Sequence, residues 1–224
     1  GEPLFIPNNV VHYLIHVLRQ KNGDHIILAN ASGRYSAQLQ ISADAPEYLL
    51  PLKQITHQPV IKQRIHLYQA SCRSKKIELI IQKATELGVH SITLVNMAHC
   101  QVEHSVQTWQ KKLPRYAEIA LNASQQSRRF TVPLLQAPIP FAAIPAQKGA
   151  LNLAFHPHGI CVLRDIQPVN DVVNICIGPE GGLHDTECDL LQKKHFTLIQ
   201  LGSNILRTET AAIAAIASCQ ALWG

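Results

Sequence analysis

Hydrophobic positions in the first part of the chain recur at two different spacings. Residues 8–24 carry apolar side chains at helical spacing, and Gly23 comes at their end, so this segment predicts a short helix. Residues 25–42 contain two apolar runs on either side of the turn-forming stretch 30–33, which predicts a β-hairpin. The pattern therefore predicts that residues 1–60 are mainly β-structure.

Farther along the chain, short apolar runs alternate with helical patterns. Residues 74–88 predict a helix with Ser74 as its N-cap, Gly88 just past its end and one apolar face, formed by Ile77, Ile80, Ile81, Ala84 and Leu87. Residues 105–127 predict a second helix, which Pro114 should kink or divide. The predicted strands are 65–70, 91–97, 150–157, 172–177 and 196–201. Such alternation predicts an α/β domain with a largely parallel sheet.

A domain boundary is predicted near residue 62. The stretch 51–70 is polar in its middle and carries Pro51 and Pro59 just before the change from β-pattern to alternating pattern. We therefore expect a small domain over 1–62 and a larger one over 63–224.

Composition and charge narrow the class of protein. The chain has 224 residues, of which 46% are hydrophobic, and none of its apolar runs reaches the ~18 residues of a membrane span. Its start lacks a basic segment followed by an apolar one, so no signal peptide is expected. The net charge of +5 permits a polyanionic partner without requiring one.

The six cysteines lie far apart and form no CxxC pair, which favours free thiols in a reducing, cytoplasmic setting. Because structural zinc needs closely spaced ligands, no metal site is expected.

Three polar loops, 156–159, 178–182 and 202–207, follow predicted strands. Ligands of open parallel sheets bind outside the carboxyl ends of the strands, and glycine lets backbone groups approach a ligand. The loops are nearly uncharged, which fits an adenine or a ribose better than a triphosphate. They match neither a Walker A loop nor GxGxxG, and ordinary turns remain the alternative.

The last predicted helix, 208–223, is apolar or small on nearly every face. This composition is typical of a buried or interface helix and suggests a dimer.

Motifs along the chain resemble a known family. "IGPEGGLHDTE" (177–187) and "LGSNILRTETAA" (201–212) are similar to the SPOUT-class RNA methyltransferases. Further matches, which lie at 12–28, 81–89, 120–129 and 151–157, make the resemblance closest to the ribosomal RNA small subunit methyltransferase E family.

This resemblance implies a fold and an activity. The fold would be an N-terminal PUA-like β-barrel that grips RNA, followed by an α/β methyltransferase domain with a trefoil knot. The activity would be methylation of N3 of a uridine in 16S ribosomal RNA, with S-adenosylmethionine as donor and a homodimer as the working form. Two positions depart from the family pattern: Asn204 stands where Arg is common, and His184 replaces a serine. The second change predicts loss of the capping box with Glu187, unless Asp185 caps the helix.

The resemblance also implies site residues. The cofactor-binding set is Leu153, His156, Ile177, Gly178, Pro179, Glu180, Gly181, Gly182, Leu201, Gly202, Ile205 and Leu206. Arg207 would stabilise negative charge on the uracil oxygens, with a salt bridge to Glu209 as the alternative. Glu180 would act as base or orienting group, or merely hydrogen-bond its own loop, and His156 is a further candidate base.

Four arginines, Arg19, Arg34, Arg128 and Arg129, are predicted to contact RNA phosphates. Two other functions stay open: an RNA-binding ribosome-assembly factor that lost catalysis, and a related methyltransferase acting on tRNA.

Overall fold

In the computed structural model, the described residues are 4–30, 33–41, 48–55, 63–145 and 148–224. The chain divides into two compact units, Gly1–Val60 and Ile61–Gly224. The boundary predicted between residues 62 and 63 stays a prediction, because 56–62 lie outside the described part.

The first unit is built on a four-stranded antiparallel sheet of order β1-β4-β3-β2. Its elements are β1 (Leu4–Phe5), α1 (Asn8–His12) with a π-helical turn (Tyr13–Val17), β2 (His25–Asn30), β3 (Gly33–Gln40) and β4 (Tyr48–Ile55). The predicted hairpin is confirmed as the β2–β3 pair, although Ala31 and Ser32 of its turn lie outside the described residues. The predicted helix is confirmed over 8–17.

The second unit alternates strands and helices. Its elements are β5 (Arg64–Ala70), α2 (Ser74–Glu86), β6 (Ser91–Asn96), α3 (Val106–Gln126), β7 (Leu134–Pro140), β8 (Leu151–Phe155), β9 (Cys161–Val162), β10 (Val172–Ile177), α4 (Asp185–Lys193), β11 (Thr197–Gln200) and α5 (Thr208–Trp223). Single 3-10 turns are formed by Phe141–Ala143 and Leu163–Asp165.

Seven strands form one sheet of order β7-β6-β5-β10-β8-β11-β9, and every neighbouring pair is parallel. This confirms the predicted α/β fold with a parallel sheet. Strands β7 and β9 were not predicted, and both lie at the edges of the sheet. Pro138 and Pro140 fall within β7, which an edge strand tolerates because one side of its backbone needs no partner.

The core lies on both faces of this sheet. All six residues of β10 are buried, and side chains at alternate positions point to opposite faces. Helices α2, α3 and α5 pack on one face, and α4 packs on the other. The trefoil knot implied by the family resemblance stays a prediction, because strand order alone does not define a knot.

Two predictions about the helices are wrong. Helix α2 begins one residue earlier than predicted, with Arg73 as its N-cap, and the Ser74 hydroxyl instead accepts a hydrogen bond from Lys112 Nζ at 2.5 Å. Pro114 does not divide α3, which continues through it as one helix, and the alternative of a kink at Pro114 stays a prediction. Pro114 is exposed, so water can bond the carbonyl that its missing N–H leaves without a partner.

The predicted loss of the capping box at α4 is also wrong. The imidazole of His184 takes the place of a serine hydroxyl, since its Nδ1 accepts the N–H of Thr186 at 3.2 Å. Glu187 completes the box by accepting the His184 N–H at 2.9 Å, and its other oxygen accepts the Ala98 N–H at 2.8 Å. The helix after the 178–182 loop is therefore capped by a residue type that is unusual in this role.

Replacing His184 by alanine should lower the free energy of unfolding by about 0.5–2 kcal/mol, because the N-terminal N–H groups of α4 lose an acceptor. Replacing it by serine should restore most of that loss. Urea unfolding of both variants measures this, with Gln192→Ala on the exposed face of α4 as the control. Equal unfolding midpoints for the alanine and serine variants would contradict the capping role.

Candidate active site

A cleft of about 380 Å³ opens at the carboxyl edge of the parallel sheet. Three loops form it, one after each of β8, β10 and β11, and the first turn of α5 closes one side. This is the edge at which open parallel sheets bind ligands. The predicted convergence of the three loops is therefore observed.

Two glycines shape the wall of the cleft. Gly182 and Gly202 have φ values of +77° and +68°, which side chains other than glycine rarely adopt. No atom lies within 4 Å of the position that a Cβ would occupy on either residue. The backbone turns sharply at both places and leaves open space beside it, so main-chain groups of both loops can reach a bound molecule.

A chain of buried hydrogen bonds joins the two glycine loops at their base. Thr208, the first residue of α5, donates its hydroxyl proton to the carbonyl of Gly178 at 2.7 Å. The same hydroxyl accepts a hydrogen bond from Gln69 Nε2 at 2.8 Å. Because Gln69 and Thr208 are buried, these bonds fix where the loop after β10 leaves the sheet relative to α5.

An ionic cluster that includes Glu180 joins the loops a second time. Lys76 Nζ on α2 lies 2.9 Å from Glu180 Oε1 and 3.2 Å from Glu209 Oε2. The side chains of Lys76, Glu180 and Glu209 are 27%, 19% and 12% exposed, so solvent screens the cluster only in part.

This cluster keeps Glu180 ionised. Burial opposes the charge, but the hydrogen bond from Lys76 and the charges of Lys76 and Arg73 outweigh it and lower the pKa of the Glu180 carboxyl. A carboxylate that is paired in this way and has a low pKa is a weak proton acceptor. Its stabilising contribution is present above the ordinary carboxyl pKa and is lost as the pH falls through the lowered value.

His156 is neutral at pH 7, because burial and the neighbouring His158 lower its pKa. Its Nδ1 accepts the N–H of His158 at 3.2 Å, so in the neutral ring the proton sits on Nε2. In this tautomer Nε2 carries the ring proton, so it is a hydrogen-bond donor and not a base.

Arg207 stands at the N-cap of α5 and is exposed. Among the described residues, no carboxylate lies within ion-pair distance of it, and Glu209 pairs with Lys76 instead. Arg207 itself does not line the cleft, but both of its neighbours in the chain, Leu206 and Thr208, do.

The structure brings together eleven of the twelve predicted cofactor-binding residues around this cleft. They are His156, Ile177, Gly178, Pro179, Glu180, Gly181, Gly182, Leu201, Gly202, Ile205 and Leu206. Leu153 does not line it, because it lies in the middle of β8 with its side chain fully buried in the core.

Eight further residues line the cleft; Pro157, His158 and Asn204 belong to the predicted loops, and sequence reasoning missed the other five. The eight are Phe155, Pro157, His158, Leu183, Gln200, Asn204, Thr208 and Ala211. Most adjoin predicted residues in the chain. For Thr208 and Ala211 the sequence gave little indication of a binding role, because they belong to a helix whose composition predicts only packing.

Two of the predicted RNA-binding arginines, Arg128 and Arg129, lie apart from the cleft. Arg128 and Arg129 follow α3 and precede β7, which places them at the amino edge of the sheet, opposite the cleft. The guanidinium of Arg129 donates to the carbonyls of Thr85 and Val89 at 2.8 Å each, so it stabilises the end of α2.

The remaining three arginines differ in what the structure describes. Arg128 is exposed, with a φ of 56°. Arg19 in the first unit is exposed as well, and the side chain of Arg34 lies outside the described residues.

A different arginine, Arg73, stands at the carboxyl edge. It is exposed at the N-cap of α2, and its charge is one of those that lower the pKa of Glu180. Sequence analysis gave no signal for it, because nothing in the pattern relates the loop after β5 to the loop after β10.

In the described part of the chain, no three histidine, cysteine or acidic side chains are grouped as metal ligands would be. A search of the same residues finds no helix with the length and apolar character needed to span a membrane.

Comparison with known proteins identifies the family. Residues 59–220 match the model of an RNA methyltransferase domain, and residues 6–44 match that of an RNA methyltransferase PUA domain. The chain is thus an RNA methyltransferase domain with a PUA domain before it.

Two relatives carry the name ribosomal RNA small subunit methyltransferase E. The protein from Rickettsia conorii is 33% identical, with 95% of this chain and 86% of the relative covered. The protein from Buchnera aphidicola of Schizaphis graminum is 29% identical, with 100% and 92% covered.

Two solved structures are similar over nearly the whole chain. The enzyme of the same name from Neisseria gonorrhoeae, bound to S-adenosylmethionine, has a TM-score of 0.87 at 31% identity, with 100% of this chain and 93% of that one covered. A methyltransferase from Legionella pneumophila, also bound to S-adenosylmethionine, has a TM-score of 0.86 at 29% identity, with 99% and 92% covered. The chain belongs to the ribosomal RNA small subunit methyltransferase E family, as its motifs predicted.

Proposed function

We propose that this protein transfers a methyl group from S-adenosylmethionine to N3 of a specific uridine in 16S, small-subunit ribosomal RNA. The observation that carries the proposal is the cleft at the carboxyl edge, where the 178–182 and 201–206 loops meet and are tied to α5 through Thr208. Membership of the family and the S-adenosylmethionine named for two similar structures support it.

The residues of the cleft fit this cofactor. The open space beside Gly182 and Gly202 admits a flat ring against the backbone, and the apolar side chains of Ile177, Leu201 and Leu206 line the same space. Main-chain N–H and C=O groups of the two loops would read the adenine edge. The sulfonium supplies an activated methyl group when the cofactor is bound.

The chemical step needs alignment more than it needs a strong base. The uridine N3 loses its proton and attacks the methyl carbon; the N–C bond forms as the C–S bond breaks and the sulfonium becomes a neutral thioether. In-line approach requires the two atoms ~3–3.5 Å apart. The target base must leave its stack to reach the cleft.

Arg207 would stabilise the negative charge that develops on the uracil oxygens as N3 loses its proton. Its lack of an ion pair among the described residues leaves its donors available for that purpose. Since Glu180 is paired with Lys76 and His156 presents a donor, the proton would pass to solvent, and Glu180 would act as an orienting group.

Exposed cations at the carboxyl edge would bind the RNA around the target nucleotide. Arg73 and Arg207 stand at the N-caps of α2 and α5, which pack against each other. Arg19, Arg34 and Arg128 remain predicted phosphate contacts elsewhere on the protein.

The protein would act as a homodimer through α5. Thr210, Ala214, Ala217 and Ala221 recur on the outward face of this helix at spacings of four, three and four, and each is exposed or half-buried. Small side chains permit close approach of a second copy. The six free cysteine thiols fit a reducing, cytoplasmic setting.

One observation favours a second candidate, an assembly factor that binds RNA without catalysis. Asn204, which replaces the arginine common in the family, lines the cleft. Such a factor would bind small-subunit RNA and the cofactor yet transfer no methyl group.

The test of catalysis uses labelled S-adenosylmethionine and small-subunit particles from cells that lack the protein. Wild type should produce a single N3-methyluridine, identified by mass spectrometry. Arg207→Ala should lower kcat by about 10²–10³-fold, because the developing charge loses its counter-charge, while cofactor affinity stays within about twofold.

Arg115→Ala is the control for that variant, since Arg115 is an exposed arginine on α3 that pairs with Glu78 and Glu118. Turnover that persists in Arg207→Ala would remove Arg207 from the mechanism. Binding of cofactor and RNA by wild type without transfer would favour the assembly factor.

Arg73→Gln should weaken RNA binding and lower the slope of log affinity against log salt by about one, because one phosphate contact is lost. Filter binding of a small-subunit RNA fragment at several salt concentrations measures this. Arg128→Gln, at the opposite edge of the sheet, is the comparison. A larger loss in Arg128→Gln than in Arg73→Gln would locate the RNA at the amino edge instead.

Light scattering should give a molar mass twice the 24.8 kDa of one chain. Ala221→Arg should reduce the mass to that of one chain, because a charged side chain then stands on the outward face of α5. Gln192→Arg on α4 is the control and should leave the dimer intact. A dimer that survives Ala221→Arg would rule out this face as the interface.

A further inference from the structure

Lys76 is placed between two loops to which it does not belong. It lies in the first turn of α2, whereas its two partners come from elsewhere in the chain: Glu180 from the loop after β10, and Glu209 from the first turn of α5. One ammonium group therefore connects both walls of the cleft to a third element. Among the described cations, Lys83, Arg115 and Arg164 contact carboxylates only on helices α2 and α3 or on a neighbouring residue.

The two carboxylates need this cation to lie where they do. Both approach the same Nζ within 3.2 Å, so they are close enough to repel each other once the positive charge is removed. Hydrogen bonding to Glu180 and Glu209 outweighs burial and raises the pKa of Lys76, so the group stays charged. It is therefore a clamp and not a proton acceptor.

The clamp acts above the neutral bond at the base of the loops. Thr208 fixes the Gly178 carbonyl, where the loop leaves β10, but Glu180 lies two residues farther out, at the part of the loop that lines the cleft. Gly181 and Gly182 follow, and glycine adds backbone freedom at that point. Among the described residues, two side chains hold the outer part of the loop to the body of the domain: Lys76 through Glu180, and His99, whose Nδ1 lies 3.2 Å from the Gly182 carbonyl oxygen. Of the two, Lys76 also contacts α5, through Glu209.

Substitution of Glu209 can distinguish an effect on the position of the loops from the loss of a direct contact with the ligand. Glu209 does not line the cleft, whereas Glu180 does. Any effect of Glu209 on ligand binding must therefore pass through Lys76 and the two loops.

We propose that Lys76 is a positioning residue for cofactor binding, which fixes the 178–182 loop and the first turn of α5 in the spacing that the cofactor requires. The inference rests on the proposed function, since it names S-adenosylmethionine as the ligand. Lys76 would act on the ligand only through Glu180 and Glu209.

The test is calorimetric titration of S-adenosylmethionine into the full chain. Lys76→Met should bind about tenfold more weakly, as expected when a hydrogen bond to a charged group is lost, and Lys76→Arg should recover most of the affinity. Glu209→Gln should also weaken binding, although Glu209 does not line the cleft. Lys83→Met is the matched control, because Lys83 lies on the same helix and pairs only with Glu86 at 2.9 Å; it should bind like wild type.

Hydrogen exchange gives a second readout that does not depend on ligand. In Lys76→Met, amides of 178–182 and of the first turn of α5 should both exchange faster than in wild type, while Lys83→Met should change neither. A general loss of stability would instead speed exchange throughout the domain. If Lys76→Met does not fold, Glu209→Gln decides the question in the same two measurements.

Wild-type affinity in Lys76→Met or in Glu209→Gln would overturn the inference and leave the proposed function standing. Faster exchange in only one of the two segments would also overturn it, because the clamp would then not couple them. Failure of wild type to bind S-adenosylmethionine would instead overturn the proposed function, and this inference with it.

Discussion

Parallel pairing of β10 between β5 and β8 is the constraint on which the rest of the site depends. All six residues of β10 are buried, so the strand has no freedom to shift its register without moving apolar side chains out of the core. Because its neighbours run in the same direction, the carboxyl ends of β5, β8, β10 and β11 meet at one edge. The loops that follow these strands are brought together there, although they come from positions as far apart in the sequence as Ala70 and Thr208.

The parallel strands bring the loops to the same edge, but they do not fix the distance between one loop and the next. Two sets of polar contacts fix that spacing, and they differ in kind. The bonds between Gln69, Thr208 and the Gly178 carbonyl are neutral and buried, so they stabilise one arrangement at the base of the loops. The Lys76 cluster is ionic and only partly shielded from water, and it fixes the outer part. The two sets of contacts fix the loops from below and from the side. The space beside Gly182 and Gly202 therefore stays open to a ligand.

The same electrostatics explain why the catalytic roles that we propose differ from those that the motif suggests. A glutamate in a glycine-rich loop resembles a base, but the positive charges of Lys76 and Arg73 keep Glu180 ionised and engaged. Arg207 has the opposite environment, since Glu209, the partner that the alternative interpretation gave it, pairs with Lys76 instead. The cluster therefore holds Glu180 in place and leaves Arg207 without an ion pair among the described residues, and neither effect is visible from the order of residues.

The sequence by itself determined the elements and most of the cleft. Apolar spacing predicted the strands of the sheet interior and the buried face of α2, because side-chain periodicity is a local property. The motifs identified eleven residues of the cleft and the family. What only the tertiary structure decided are contacts between groups distant in the chain. His184 replaces a serine cap through its imidazole, Arg129 stabilises the end of α2, and Leu153 is buried in the core instead of lining the cleft. Lys76 and Arg73 belong with the loop after β10 only because two strands lie side by side, and which strands do so follows from the free energy of the whole fold rather than from any local pattern.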